Sequence, residues 1–265
     1  LDLRRFLGDA HLQVAAEQAV CVRAAEQAIR YYDAALDILE TRPVDAETAE
    51  RRFTSGCRDT LESLVLPRLM RRISQAALRI QLTTVRFGRQ DLKADLFSGQ
   101  LDAAADVIVP RSRQIRHQPL SSDRLAVVVR RGHPAIAGEL SLETYLAQGH
   151  ILVSSRPSGP GVEDFELSRR GMQRRVVLRC QHYFAALRVV AETDLIVTMP
   201  QRLARIVNPQ FDHQILPFPL EMPRHRYYLL WHENMDDDPG HRWLREQIVQ
   251  SFVEAESGDR PGREA

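Results

Sequence analysis

The chain has 265 residues, a formal charge of +1, 44% hydrophobic and 27% charged residues, enough for one large packed domain or two small ones. A charge so close to zero does not announce nucleic-acid binding, and the longest apolar runs are strand-sized, too short to span a membrane. Cys21, Cys57 and Cys180 are too scattered for a disulfide framework or a zinc motif, and no secretory signal opens the chain, so a reducing, cytoplasmic setting is the expectation.

Residues 10–40 carry an alanine-rich helical pattern. Leu12, Ala15, Ala19, Val22, Ala25, Ile29, Tyr32, Leu36 and Leu39 keep three- and four-residue spacings, the pattern of a helix–helix seam. Such a helix could pack on its own domain or serve as a linker and dimerisation element; Pro43 ends it, and residues 41–48 form a polar joint. Residues 50–56 then read as a first strand, followed by a helix with Leu61, Leu64, Val65, Leu69, Met70 and Ile73 on one face. Pro67 inside that helix predicts a bend or a late start. Residues 78–85, a short helix over 90–97 stopped by Gly99, and a small-residue strand over 101–105 complete an α/β series expected to form a parallel sheet covered by helices.

Residues 112–119 read as a basic connection and 125–129 as a strong strand, closed by the Gly132 and Pro134 turn. Further strands are predicted over 150–153, 176–178, 194–200 and 227–231. Between them lie helices near 142–148, 163–170, 185–191 and 201–206, with a closing helix over 242–253. The order predicts two lobes crossed twice: lobe I from 49–130 and 220–256, lobe II from 131–219, after a linker region over 1–48 and before a disordered tail over 257–265.

Ligands of such sheets sit beyond the carboxyl ends of strands. Ser55, Arg58, Asp59 and Thr60 occupy the first such end; Ser154, His182, Phe184 and Thr198 are candidates from the facing lobe. Hydroxyls, helix-start amides and an arginine suit an anion, while His182, Tyr183 and Phe184 offer flat surface to an aromatic one. Each residue could equally be structural. Catalysis has little support: the nine histidines form no metal motif, no nucleophile elbow is present, and no base can be assigned to Cys57. The basic groups Arg68, Arg71, Arg72 and Arg169, Arg170, Arg174, Arg175 read as solvated surface.

Several ordered pieces carry a resemblance. Arg52-Phe53-Thr54, Leu66-Pro67-Arg68-Leu69, Ser98-Gly99-Gln100-Leu101-Asp102-Ala103-Ala104, Asp123-Arg124-Leu125, Val128 to Pro134 and Asp194 to Pro200 resemble the effector-binding part of LysR-type transcriptional regulators. The resemblance implies a two-lobed, periplasmic-binding-protein-like α/β domain after a linker helix, with no cofactor. It implies a small-molecule effector bound between the lobes at the eight residues named above, and a homodimer or homotetramer. DNA would be read only through a winged helix-turn-helix, which the first nine residues are too short to supply. A solute-binding protein is the alternative, which an export signal upstream would favour. A small-molecule enzyme is the other, which turnover lost on replacing Cys57 or His182 would favour.

Overall fold

The computed structural model describes residue 29, residues 51–76 and residues 79–258. The linker region over 1–48, apart from a helical and exposed Ile29, and most of the C-terminal tail lie outside the described residues. Among the described residues from Arg51 on, ten strands and seven α-helices follow in largely alternating order.

The first sheet has the order β2-β1-β3-β10-β4, from β1 (Arg51–Gly56), β2 (Ile80–Val85), β3 (Ala103–Asp106), β4 (Ile115–Asp123) and β10 (His225–His232). The second has the order β7-β6-β8-β5-β9, from β5 (Leu125–Val129), β6 (Gly149–Val153), β7 (Arg175–Cys180), β8 (Ile196–Pro200) and β9 (Gln214–Pro217). The helices are α1 (Asp59–Ala76), α2 (Leu92–Phe97), α3 (Leu142–Ala147), α4 (Val162–Arg169), α5 (Tyr183–Glu192), α6 (Gln201–Val207) and α7 (Pro239–Gly258). The described chain divides into two compact units. One runs through Arg58 and holds Leu69–Pro119 and Tyr228–Ser251; the other holds Asp59–Arg68, Leu120–Tyr227 and the chain from Phe252 on.

Both sheets are mixed rather than purely parallel. β1 runs parallel to β2 and β3, and β6 parallel to β7 and β8, as strand–helix–strand crossovers require. β10 is antiparallel to β3, and β5 is antiparallel to both β8 and β9. β5 follows β4 after a single residue, Arg124, which leaves no room for a crossover helix.

β4 itself corrects the expected basic connection over 112–119. It is an edge strand with Arg116, His117, Gln118 and Pro119 exposed between buried Ile115 and Leu120. Edge strands tolerate proline and charge because one row of backbone groups needs no partner in the sheet. α1 holds Pro67 inside it as expected, and it does not begin late: it starts at Asp59 and runs 18 residues. Pro67 leaves the Ser63 carbonyl without its usual N–H, and one residue on, the Arg68 guanidinium donates to the Leu64 carbonyl at 3.1 Å.

The second sheet is covered on both faces. Val128, Val197 and Met199 pack with Leu187 and Val190 of α5 and Leu203 of α6; Val127, Val129 and Ile196 point the other way, to Tyr145, Leu167 and Leu216. Burial on both faces is why these strands read as unbroken apolar runs. Each such fully buried side chain stabilises the fold by about 1.5–3 kcal/mol.

In the first unit the exit of β1 is held from several sides. Asp102 accepts from the Thr54 amide at 2.6 Å and returns its own amide to the Thr54 carbonyl at 2.8 Å. The His241 Nε2 lies 2.7 Å from the Asp102 carbonyl, and Arg245 lies 2.7 Å from His241 Nδ1. With Arg245 donating to Nδ1, the imidazole is neutral and its Nε2–H donates to Asp102. Arg51 forks onto Asp238 through two bonds of 2.7 Å. Gly56 closes the strand, where a Cβ would stand 2.8 Å from Phe87 Cδ1 and 3.2 Å from the Ala104 Cβ. Gly56→Val should therefore cost about 1–3 kcal/mol by overpacking, read as a lower urea midpoint at unchanged slope.

Candidate functional site

At the carboxyl edge of the first sheet, Ser55 is buried in β1, and the Cys57 amide donates to the Val85 carbonyl at 3.0 Å. Asp106, at the end of β3, is 1% exposed and receives two arginines. Arg89 forks onto it with bonds of 2.6 and 2.7 Å, and the Arg58 Nε lies 3.8 Å from its Oδ1. The hydrogen bond to Asp106 raises the Arg89 pKa, so this guanidinium stays charged. The Arg58 guanidinium also lies over the Phe87 ring at 5.7 Å. Two cations stand beside one buried carboxylate at this strand edge. The start of α1 does not add to their charge, because its first turn holds Asp59 and Glu62.

Asp59 and His182 meet at the start of α5, whose first turn carries Phe184. The Tyr183 amide donates to Asp59 Oδ2 at 3.3 Å, and His182 Nδ1 lies 3.8 Å from the same oxygen. Asp59 thereby caps α5, whose own cap residue His182 makes no side-chain bond to the helix. Phe184 is half exposed and meets Phe211 edge to face, with centroids 5.5 Å apart. Thr60 is partly exposed in the first turn of α1.

Ser154 follows β6: its amide donates to the Cys180 carbonyl at 2.8 Å and its hydroxyl accepts from the Arg156 amide at 3.1 Å. Arg156 is spent within its own loop, donating to the Pro160 carbonyl at 2.6 Å. The Thr198 hydroxyl is buried against the Tyr145 hydroxyl at 2.9 Å.

That tyrosine leads to a polar cluster absent from the sequence reading. The Arg174 side chain is fully buried, 2.7 Å from Glu163, 2.6 Å from Asp164 and 3.4 Å from the Tyr145 hydroxyl. This corrects its assignment to the solvated surface. Burial pushes the Tyr145 hydroxyl up to about 12, so it remains neutral. His150 is buried beside it, with Nε2 on the Tyr145 carbonyl at 2.9 Å, and burial together with the Arg174 charge pulls its pKa down to about 4. Burial would raise the Asp164 pKa, but its bonds to Arg174 hold the carboxyl below the ordinary range.

Among the described residues no cluster of His, Cys, Asp and Glu is arranged to hold a metal, and no helix is long and apolar enough to cross a membrane. The profile of the LysR substrate binding domain matches residues 46–253. The chain belongs to the LysR family of transcriptional regulators. This LysR-type domain is 32% identical over 211 residues to the HTH-type transcriptional activator NagR of Ralstonia sp., covering 80% of this chain and 70% of that protein. The crystal structure of the probable transcriptional regulator PA0477 from Pseudomonas aeruginosa superposes with a TM-score of 0.78 at 30% identity, covering 89% of this chain and 76% of that one. The BenM effector binding domain with its effector benzoate shares the fold at 20% identity, with a TM-score of 0.65 over 82% of this chain and 97% of that one. The family is one of ligand-sensing regulators, not of enzymes.

Proposed function

We propose that this LysR-type domain senses a small anionic effector with an aromatic body, held between lobe I and lobe II, the division the family resemblance implies. Ser55, Arg58, Asp59 and Thr60 would serve from one side and Ser154, His182, Phe184 and Thr198 from the other. One observation carries the reading: Arg58 and Arg89 both lie beside the buried carboxylate of Asp106 where β1 and β3 end. An incoming carboxylate meets a positive charge already held in place, and charge-assisted bonds to it are the strong ones. The benzoate bound by BenM supports the ligand class.

The effector would act by favouring one conformation over another, which requires different affinities for the two. The regulator would work in the cytoplasm as a homodimer or homotetramer. DNA would be read by a winged helix-turn-helix segment, as the HTH-type description of NagR supports, and not by the described residues. Calorimetry with benzoate and with neutral benzyl alcohol tests the proposal. Benzoate should bind and the alcohol should not, and Arg58→Gln should weaken benzoate at least about tenfold, the loss of one charge-assisted hydrogen bond. Equal affinity for the acid and the alcohol, or an unaffected Arg58→Gln protein, would refute it.

A further inference from the structure

From the last residue of β9 to the start of β10 the chain forms a strap, residues 217–224, that carries Pro217, Pro219 and Pro223. With Arg124, Leu125 and Gln201 the strap encloses a cavity of about 600 Å3, lined entirely within the second unit. Its wall is anchored to the core of that unit. The Phe218 ring meets the buried Tyr145 ring edge to face at 5.3 Å, and Leu220 is itself buried. Three prolines in a short segment, with an aromatic locked into the core, make this wall stiff before any ligand arrives, so binding need not order it.

The charges in the lining are unequal. Arg124 and Arg224 both reach it, and Glu221 is its one carboxylate. Neither guanidinium donates to any described residue, unlike Arg89 and Arg174, which are committed to carboxylates. The surrounding surface from Leu125, Phe218 and Met222 is apolar. A hollow of this size, mixing apolar surface with a somewhat larger polar share, suits a small molecule that carries charge on a short apolar body.

We propose that this cavity is a second anion site, taking a small carboxylate with a short apolar body. It shares no residue with the strand-end site and does not depend on that site being used. Its position gives it a role. Arg124 and Arg224 lie near the two ends of the longest stretch of the second unit, Leu120–Tyr227. An anion contacting both ties the two ends of that stretch together and will bias any motion they undergo.

Equilibrium dialysis of the full chain with labelled benzoate as probe tests this by counting bound molecules. The wild-type protein should bind two per chain. The Arg124→Ala/Arg224→Ala double variant should bind one, with at least tenfold weaker affinity at the lost site. Both arginines are exposed, so circular dichroism should show an unchanged fold. Arg58→Gln should remove the other molecule and leave this one, so the two sites succeed or fail separately. A double variant that binds as many molecules as the wild type overturns the proposal. So does Met222→Trp, which would fill the cavity, if it leaves the count unchanged in a folded protein.

Discussion

Arg174→Met should lower the unfolding free energy by about 3–5 kcal/mol, among the largest single-site effects expected in this molecule. The side chain is fully buried and holds Glu163 and Asp164 at 2.7 and 2.6 Å. Methionine matches much of its volume but leaves two carboxylates without their counter-charge. Glu163 is almost as buried as the arginine, and its pKa is already raised by burial with Arg174 opposing the rise. Without Arg174 it must take up a proton or open the structure. Arg175→Met supplies the control, since Arg175 is exposed at the start of β7 and should stay within about 0.5 kcal/mol of the parent. Urea unfolding followed by circular dichroism at pH 7.5 reads both. Equal midpoints for the two variants would show that the buried cluster contributes nothing.

The second large effect is with pH. His150 and His241 are both fully buried, and burial, aided by nearby arginine charge, pulls each pKa down to about 4. In the unfolded chain an imidazole titrates near its ordinary value of about 6.5. The folded state thus holds two neutral imidazoles that the unfolded chain would protonate first. Their contribution is complete above pH 6.5 and is lost as the pH falls from there towards 4, at about 3 kcal/mol for each. His213, His225 and His232 also have lowered values and act in the same direction. Asp164, Asp236 and Asp238, whose values are lowered too, add their loss only at still lower pH. Urea midpoints measured between pH 7.5 and 4.5 should fall steeply, and the His150→Gln/His241→Gln double variant should fall less, from a lower start. A parent protein with a flat profile across that window would contradict the assignment.

Much of the architecture could be read from residue order because burial leaves a pattern. Val127, Val128 and Val129 are apolar in succession since both faces of their sheet are covered, and α5 shows its buried Leu187 and Val190 at helical spacing. β4 is hard to read from residue order because an edge strand with one exposed face does not alternate cleanly, and Pro119 lies inside it. Its polar stretch looks like a loop when pairing cannot be seen. The candidate site divides along similar lines. Strand exits such as Ser55 and the loop after β6 follow from the order of elements, whereas partners do not. Arg174 sits among arginines of the same local appearance, and only Glu163 and Asp164 on α4 decide which one turns inward. Arg89 follows Gly88 in an unremarkable turn; its role rests on Asp106, 17 positions away. Thr198 lies at a strand end as expected, but the direction of its hydroxyl is set by Tyr145.

The position of Asp106 has a consequence for the proposed site. A buried carboxylate that holds Arg89 by two short bonds and stands beside Arg58 orients both guanidinium groups before any effector arrives. An effector carboxylate placed there would find its counter-charges already aimed, and little side-chain freedom would be lost on binding.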